Sequence, residues 1–170
     1  MVSMQVIERY SFMDGAGILE RERPAELYEV LEAIGHVDFS KCTEPGKPGL
    51  CSPRRVAGEI LGYLHRRGWS RPKIPIGKEG NAIEGDAHKN GVGVEIQFGG
   101  YSFLGWDSFR KMAISGKLGV YRYGIEIAPM ASLRRRMSKG VGSFEQAKEK
   151  LQKTGNPDLR IPVLVLGIDG

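Results

Sequence analysis

The stretch Asn81-Ala82-Ile83-Glu84-Gly85-Asp86-Ala87-His88-Lys89-Asn90-Gly91-Val92-Gly93-Val94-Glu95-Ile96-Gln97-Phe98 decides how the chain is read. Two short runs flank Asn90-Gly91, a pair that tolerates positive φ at both central positions of a tight turn, so the stretch reads as a β-hairpin. Its second arm alternates. Val92, Val94, Ile96 and Phe98 point one way, and Gly93, Glu95 and Gln97 the other. Glu95 and Gln97 therefore share a face, about 7 Å apart along the strand. Asp86, on the first arm, is expected beside Glu95. Two carboxylates held together repel unless a proton or cation lies between them. An oxygen-only set of Asp86, Glu95 and the backbone carbonyl of Ile96 suits Mg²⁺. Such an ion would lower the pKa of a bound water and stabilise charge on a phosphate oxygen. Gln97 is placed to hydrogen-bond the attacking water or the phosphate. His88, two residues beyond Asp86, is a further candidate for phosphate contact or proton transfer. The competing interpretation is a hairpin whose polar face simply meets solvent.

Outward from the hairpin, helices and strands alternate. Residues 2–12 read as a strand, followed by a turn at Asp14-Gly15. Pro24 opens a helix closed by Gly35, with Leu27, Val30, Leu31 and Ile34 on its apolar face. Glu20, Glu22, Glu26, Glu29 and Glu32 are expected mainly on solvated faces. Residues 38–52 read as a loop. Ser52-Pro53 starts a second helix buried through Val56, Ile60, Leu61 and Leu64, and Trp69 follows as a core anchor. A third helix is expected over 102–115, on Phe103, Trp106, Phe109 and Met112. Leu118 to Pro129 reads as a strand. Ser143 and Gln146 form a Ser-x-x-Gln capping box for a helix that buries Phe144, Ala147 and Leu151. Ile161 to Ile168 is a continuous apolar run, as in a strand covered on both faces. The fold class that follows is α/β: a mixed sheet flanked by helices, antiparallel at the hairpin and parallel toward the C-terminus, in one domain over 1–170.

Twenty-five Lys and Arg against 20 acidic residues give a net charge of +5, which favours an anionic partner such as nucleic acid. Arg134, Arg135, Arg136, Ser138 and Lys139 precede the capped helix at Ser143. With Asn90 at the hairpin turn, these are the candidate DNA-binding residues, through phosphate at the arginines and helix start and through base edges at Asn90, Ser138 and Lys139. Cys42 and Cys51 have no zinc-site spacing and are expected to be free thiols. Without an 18-residue apolar run or a signal-peptide layout, the expected location is cytoplasmic.

The segment from Asp86 to Gln97 resembles the active site of the PD-(D/E)xK nucleases. More narrowly, Val94-Glu95-Ile96-Gln97-Phe98-Gly99 resembles the type II restriction endonucleases of the BglII and BstYI branch, in which Gln stands where the wider superfamily has Lys. Asp86 matches the first metal-binding acid, Glu95 the second and Gln97 the lysine position, although Gly85 rather than Pro precedes Asp86. Asp107-Ser108-Phe109 and the strand ending Ile127-Ala128-Pro129 extend the resemblance. The loop from Met137 to Ser143 is similar to a DNA-contacting loop of that group. The resemblance covers about residues 70–155. It implies a restriction-endonuclease-like core and a Mg²⁺-dependent endonuclease cutting double-stranded DNA at a short palindromic, GATC-centred site to leave 5′ overhangs. It also implies a homodimer, and a cognate methyltransferase in a restriction-modification pair. Three alternatives remain open at this point: a structure-specific repair or junction nuclease on the same core, a DNA-binding or regulatory module whose acids are incidental, and a structural interaction domain without nucleic acid.

Overall fold

The computed structural model describes residues 3–77, 80–98, 107–153 and 157–170. In chain order its elements are β1 (Gln5–Phe12), α1 (Gly15–Glu22), α2 (Pro24–Gly35), β2 (Thr43–Glu44), β3 (Lys47–Cys51), α3 (Pro53–Arg66), β4 (Lys73–Pro75), β5 (Ala82–Glu84), β6 (Ala87–Lys89), β7 (Val92–Ile96), α4 (Asp107–Lys117), β8 (Tyr123–Pro129), α5 (Ala131–Arg135), α6 (Phe144–Lys153) and β9 (Val163–Asp169). Five strands form the central sheet in the order β1-β9-β8-β7-β6. The β6–β7 and β1–β9 pairs are antiparallel, whereas β7–β8 and β8–β9 are parallel. This is the mixed sheet expected from the sequence.

Each face of the sheet buries its own apolar layer. On one side Val30, Ile34, Val56, Ile60 and Leu64 of α2 and α3 meet Val92, Val94, Ile125, Ile127, Leu164 and Leu166. On the other, Phe109 and Met112 of α4 and Phe144, Ala147 and Leu151 of α6 meet Val163, Val165 and Ala128. The alternation along β9 is what lets one strand feed both layers, and its residues Val163 to Ile168 are all buried. Pro24 and Pro53 stand at the first turns of α2 and α3, where a missing N–H costs nothing. Ser143 and Gln146 form the expected box: the Ser143 N–H donates to Gln146 Oε1 at 3.0 Å, and the Gln146 N–H to Ser143 Oγ at 3.4 Å.

Several expectations change. The first arm of the hairpin is broken at Gly85-Asp86. Residues Ala82–Glu84 leave the main sheet and pair with Lys73–Pro75 instead, so only Ala87–Lys89 run along β7. Residues 15–22, expected to begin as a turn, form α1. The turn itself is present just ahead, with Met13 and Asp14 at positive φ. The loop at 38–52 contains a 3₁₀ turn and the β2–β3 ribbon, and the strand expected from Leu118 begins at Tyr123. The third helix is seen from Asp107, so Phe103 and Trp106 lie outside the described residues. The acidic residues of α1 and α2 are engaged rather than merely solvated. Glu26 accepts from Asn90 Nδ2 at 2.5 Å, Glu29 accepts from Trp69 and Lys89, and Glu22 accepts from the Tyr123 hydroxyl. Cys42 and Cys51 are buried free thiols. Among the described residues no helix is long and apolar enough to cross a membrane.

Asn90 and Gly91 have φ of 50° and 83°, the left-handed pair that a tight hairpin turn requires. Two residues on, Gly93 lies beneath an aromatic ring: a Cβ placed there would stand 2.2 Å from Cδ2 and Cε2 of Tyr121. Gly93→Ala must therefore displace the ring. The expected cost is about 1–3 kcal/mol of unfolding free energy, read from urea denaturation. An unchanged midpoint would show that the ring shifts without loss.

Candidate active site

The hairpin places its polar face under α4 rather than in water. Glu95 is 1 % exposed and Gln97 5 %, which overturns the interpretation of a solvent-facing strand. Asp86 arrives from the kink between β5 and β6. Its Oδ2 accepts the backbone N–H of Ile96 at 2.8 Å, so its carboxylate is fixed beside the end of β7. The surrounding backbone is also held: the Asp86 carbonyl lies 3.4 Å from His65 Nε2, and the Gly85 N–H donates to the Pro72 carbonyl at 2.9 Å. Asp86, Glu95 and the Ile96 backbone thus lie together at the end of β7. The Ile96 carbonyl also accepts the Phe98 N–H at 3.0 Å, one bond on an oxygen with two lone pairs.

Glu95 carries the electrostatic strain of this arrangement. Burial, and secondarily the Asp86 carboxylate, push its pKa up to about 8. Two groups oppose the shift: Lys111 Nζ, 3.4 Å from Oε2, and the Tyr121 hydroxyl, which donates to Oε1 at 3.0 Å. Burial and the adjacent Glu95 raise the Tyr121 phenol in turn, so it remains a donor. The Tyr121 ring stacks on His88, with centroids 5.7 Å apart and planes at 14°. Burial lowers the His88 pKa, and its Nε2 is buried with no hydrogen-bond partner among the described residues. His88 thus backs Tyr121. Gln97 donates its backbone N–H to the Ile127 carbonyl at 2.8 Å and accepts the Ser108 hydroxyl at Oε1. With that oxygen engaged, what its amide offers a ligand is the N–H₂ group, a donor rather than a base.

A third acid shares this face. Glu126 on β8 is in register with Glu95 on β7. It is 0 % exposed, and among the described residues neither carboxylate oxygen has a hydrogen-bond partner. Burial, then the Glu95 charge, raise its pKa to about 8, against a smaller opposing effect of Lys150. The sequence held a sign of it: Gly93-Val94-Glu95-Ile96 and Gly124-Ile125-Glu126-Ile127 carry the same pattern on neighbouring strands.

The donor set fits a hard divalent cation in its chemistry. No group of three His, Cys, Asp or Glu capable of holding a metal occurs among the described residues. The available donors are two carboxylates and a backbone carbonyl, all oxygen. An ion that keeps several waters, as Mg²⁺ does, suits such a sparse set. It would also offset the repulsion between Asp86 and Glu95.

The candidate DNA-binding residues divide. Arg135 and Lys139 are exposed and Arg134 is half-buried. They lie on and after α5, which leaves the C-terminal end of β8, beside the end of β7 that carries Gln97. Arg136, Ser138, Ser143 and Asn90 are held by specific partners within the chain. Arg136 binds Asp169 and the Gly170 carbonyl and lies over Phe39. Ser138 donates to Glu44 at 2.7 Å, and Ser143 is the buried cap of α6. The Asn90 side-chain amide donates to Glu26, and the Asn90 backbone carbonyl accepts from Arg23 Nε at 3.0 Å. In this conformation these four side chains hold partners within the chain.

A family model described as restriction endonuclease BglII/BglIII matches residues 7–168. The fold is similar to two crystal structures of restriction endonuclease BglII. One, complexed with a DNA 16-mer, gives a TM-score of 0.68 at 19 % identity, covering 98 % of this chain and 76 % of that one. The free enzyme gives a TM-score of 0.67 at 19 % identity, covering 98 % and 79 %. Comparison with curated protein sequences gives no significant match.

Glu95 and Glu126 give the metal-free protein a pH signature. Both bind protons more tightly folded than unfolded, so the stability they contribute is complete below the unfolded carboxylate range. It is lost progressively as the pH rises from about 4.5, the ordinary carboxylate value, to about 8. The urea midpoint in chelator is therefore expected to fall between about pH 5 and 8 and to level off above that. Glu126→Gln, which removes one of the two titrations, should flatten the decline; a slope equal to wild type would show that Glu126 does not titrate there.

Proposed function

The chain belongs to the restriction endonuclease BglII/BglIII family, and on that premise we propose that Asp86, Glu95 and Gln97 form its hydrolytic centre. The chain is a type II restriction endonuclease, a hydrolase of the DNA phosphodiester. In our reading its cofactor is Mg²⁺, its substrate is double-stranded DNA at a short palindromic site, and a twofold homodimer sets one centre against each strand. The observation that carries the assignment is the bond from the Ile96 N–H to Asp86 Oδ2. It ties one carboxylate to the strand that presents the other.

Asp86, Glu95 and the Ile96 carbonyl would hold the ion. When bound, the ion supplies a water of lowered pKa and neutralises charge on the phosphate. The protein's part is positional. Asp86 is locked by the backbone, Glu95 by Tyr121 and Lys111, and Gln97 by Ser108. Gln97 directs its N–H₂ group at the water or a phosphate oxygen. The water oxygen bonds to phosphorus as the bond to the 3′ oxygen breaks. The water gives up a proton to solvent and the 3′ oxygen takes one, leaving a 5′-phosphate and a 3′-hydroxyl. The burial of Glu95 and Gln97 by α4 limits competing water.

Arg135 and Lys139, exposed beside this end of the sheet, are the surface we assign to the DNA backbone. Arg134, beside Arg135 on α5, is half-buried. Phosphate contacts of this kind give affinity that falls steeply with salt.

Glu95→Ala is expected to reduce Mg²⁺-dependent plasmid cleavage by at least about 100-fold while DNA affinity in Ca²⁺ stays within a few-fold. Cutting at the wild-type rate would remove Glu95 from the centre. Arg135→Ala should weaken binding to every DNA sequence alike and reduce the slope of log K against log salt by about one. An unchanged slope would make Arg135 an ordinary surface charge.

A further inference from the structure

The hydrolytic centre has two acids and a neutral amide on its strands, and the phosphodiester it must receive is itself an anion. A phosphate approaching Asp86 and Glu95 meets like charge from both. The strand supplies no cation to offset it. The helix above the strand does. Lys111 on α4 places Nζ 3.4 Å from Glu95 Oε2, and it is the cation whose charge acts on that carboxylate.

We infer that Lys111 is a further catalytic residue, whose ammonium meets a non-bridging oxygen of the scissile phosphate. The inference rests on the assignment of Asp86 and Glu95 above. Three observations carry it. First, Lys111 is placed by the same helix turn that places Gln97's partner: Ser108 and Lys111 are three residues apart, on one side of α4, and Ser108 donates to Gln97. One rigid element therefore sets both groups against β7. Second, the Lys111 side chain is 17 % exposed while that of Glu95 is 2 % exposed. Of the pair, the lysine is the member more accessible to solvent, and so to an incoming anion. Third, the Glu95 carboxylate has a second donor in Tyr121, on its other oxygen. Glu95 keeps a partner when Lys111 turns part of its hydrogen-bonding capacity to a phosphate, since an ammonium has three donors.

In this role Lys111 forms and breaks no covalent bond and keeps its proton. It counters the negative charge that the non-bridging oxygens carry as the water adds and the 3′ oxygen leaves. Such stabilisation is strongest in a site from which water is largely excluded.

The test compares wild type, Lys111→Met and Lys111→Arg in two measurements. One is the single-turnover cleavage rate of plasmid DNA in Mg²⁺. The other is DNA affinity across a salt series in Ca²⁺, a readout independent of cutting. Lys111→Met is expected to cut about 100-fold more slowly and to reduce the slope of log K against log salt by about one. Lys111→Arg should keep the wild-type slope and lose roughly tenfold in rate, because a planar guanidinium keeps the charge but not the point geometry. Cutting by Lys111→Met within tenfold of wild type overturns the assignment. So does slower cutting with an unchanged salt slope, the behaviour of a lysine that only compensates Glu95. If Lys111→Met does not fold, Lys111→Arg decides: a wild-type rate or a reduced slope overturns it. Wild-type protein that cuts no DNA in Mg²⁺ would instead sink the hydrolytic centre itself, and Lys111's role with it.

Discussion

The structure depends on holding one carboxylate, that of Glu95, in a place where water cannot solvate it. At 1 % exposure the charged form loses its hydration, and Asp86 adds repulsion. Groups from three other elements converge on that residue. Lys111 comes from α4 and Tyr121 from the turn before β8, while Asp86 is tied by the β7 backbone itself. Tyr121 in turn needs a flat floor, which Gly93 provides, and a wall, which the His88 ring provides. The absence of a side chain at Gly93 is thus as much part of the site as the acids are. Glu126, in register with Glu95 and without a hydrogen-bond partner among the described residues, adds a second desolvated acid to the same layer. Buried ionisable groups that the fold does not satisfy mark function more often than stability.

Much of this was legible from local pattern. The period-2 alternation from Val92 to Phe98 gives the two faces of β7, and both the Asn90-Gly91 turn and the capping box of α6 are set by local chemistry. What the sequence left unread falls into two kinds. The first is weak local signal. Helix α1 opens with Gly15-Ala16-Gly17 and has no side-chain cap, so its propensity is poor; packing against β1, α2 and β9 makes it a helix. The second is long-range contact. Lys111 and Tyr121 reach Glu95 across 16 and 26 residues, and no periodicity links them to it. The kink at Gly85 belongs here too. A Cβ there would stand 2.1 Å from the Tyr121 hydroxyl and 2.7 Å from Pro72, so glycine is required by partners far along the chain.

The basic residues show why a charge run is a poor map of a binding surface. Arg134, Arg135 and Arg136 are consecutive, yet a helical turn points them to different surroundings. Arg136 is spent on Asp169 and the chain end, where it ties α5 to β9. The backbone around it is also pinned, with Cys51 donating to the Arg136 carbonyl at 2.7 Å and Ser138 donating to the Cys51 carbonyl at 2.8 Å. Residues 136–138 thus act as a fixed base from which Arg135 and Lys139 project. Exposed charge on a rigid base loses less entropy on meeting a phosphate than charge on a free loop.

The same economy explains the acids of α1 and α2. Glu26 and Arg23 grip Asn90 at the hairpin turn, and Glu29 receives both Lys89 Nζ and Trp69 Nε1. Lys89 also donates to the Arg67 carbonyl at 2.9 Å, joining the end of α3 to the same point. The hairpin is therefore clamped at its turn by two helices, whereas its opposite end carries Asp86 and Glu95. A two-stranded ribbon alone would twist and fray. Fixed at the turn and locked to β8 along its length, it has little freedom to move one carboxylate relative to the other. Acidic residues distant from Asp86 and Glu95 thereby help set the geometry between those two carboxylates, which is how a short strand becomes a preorganised site.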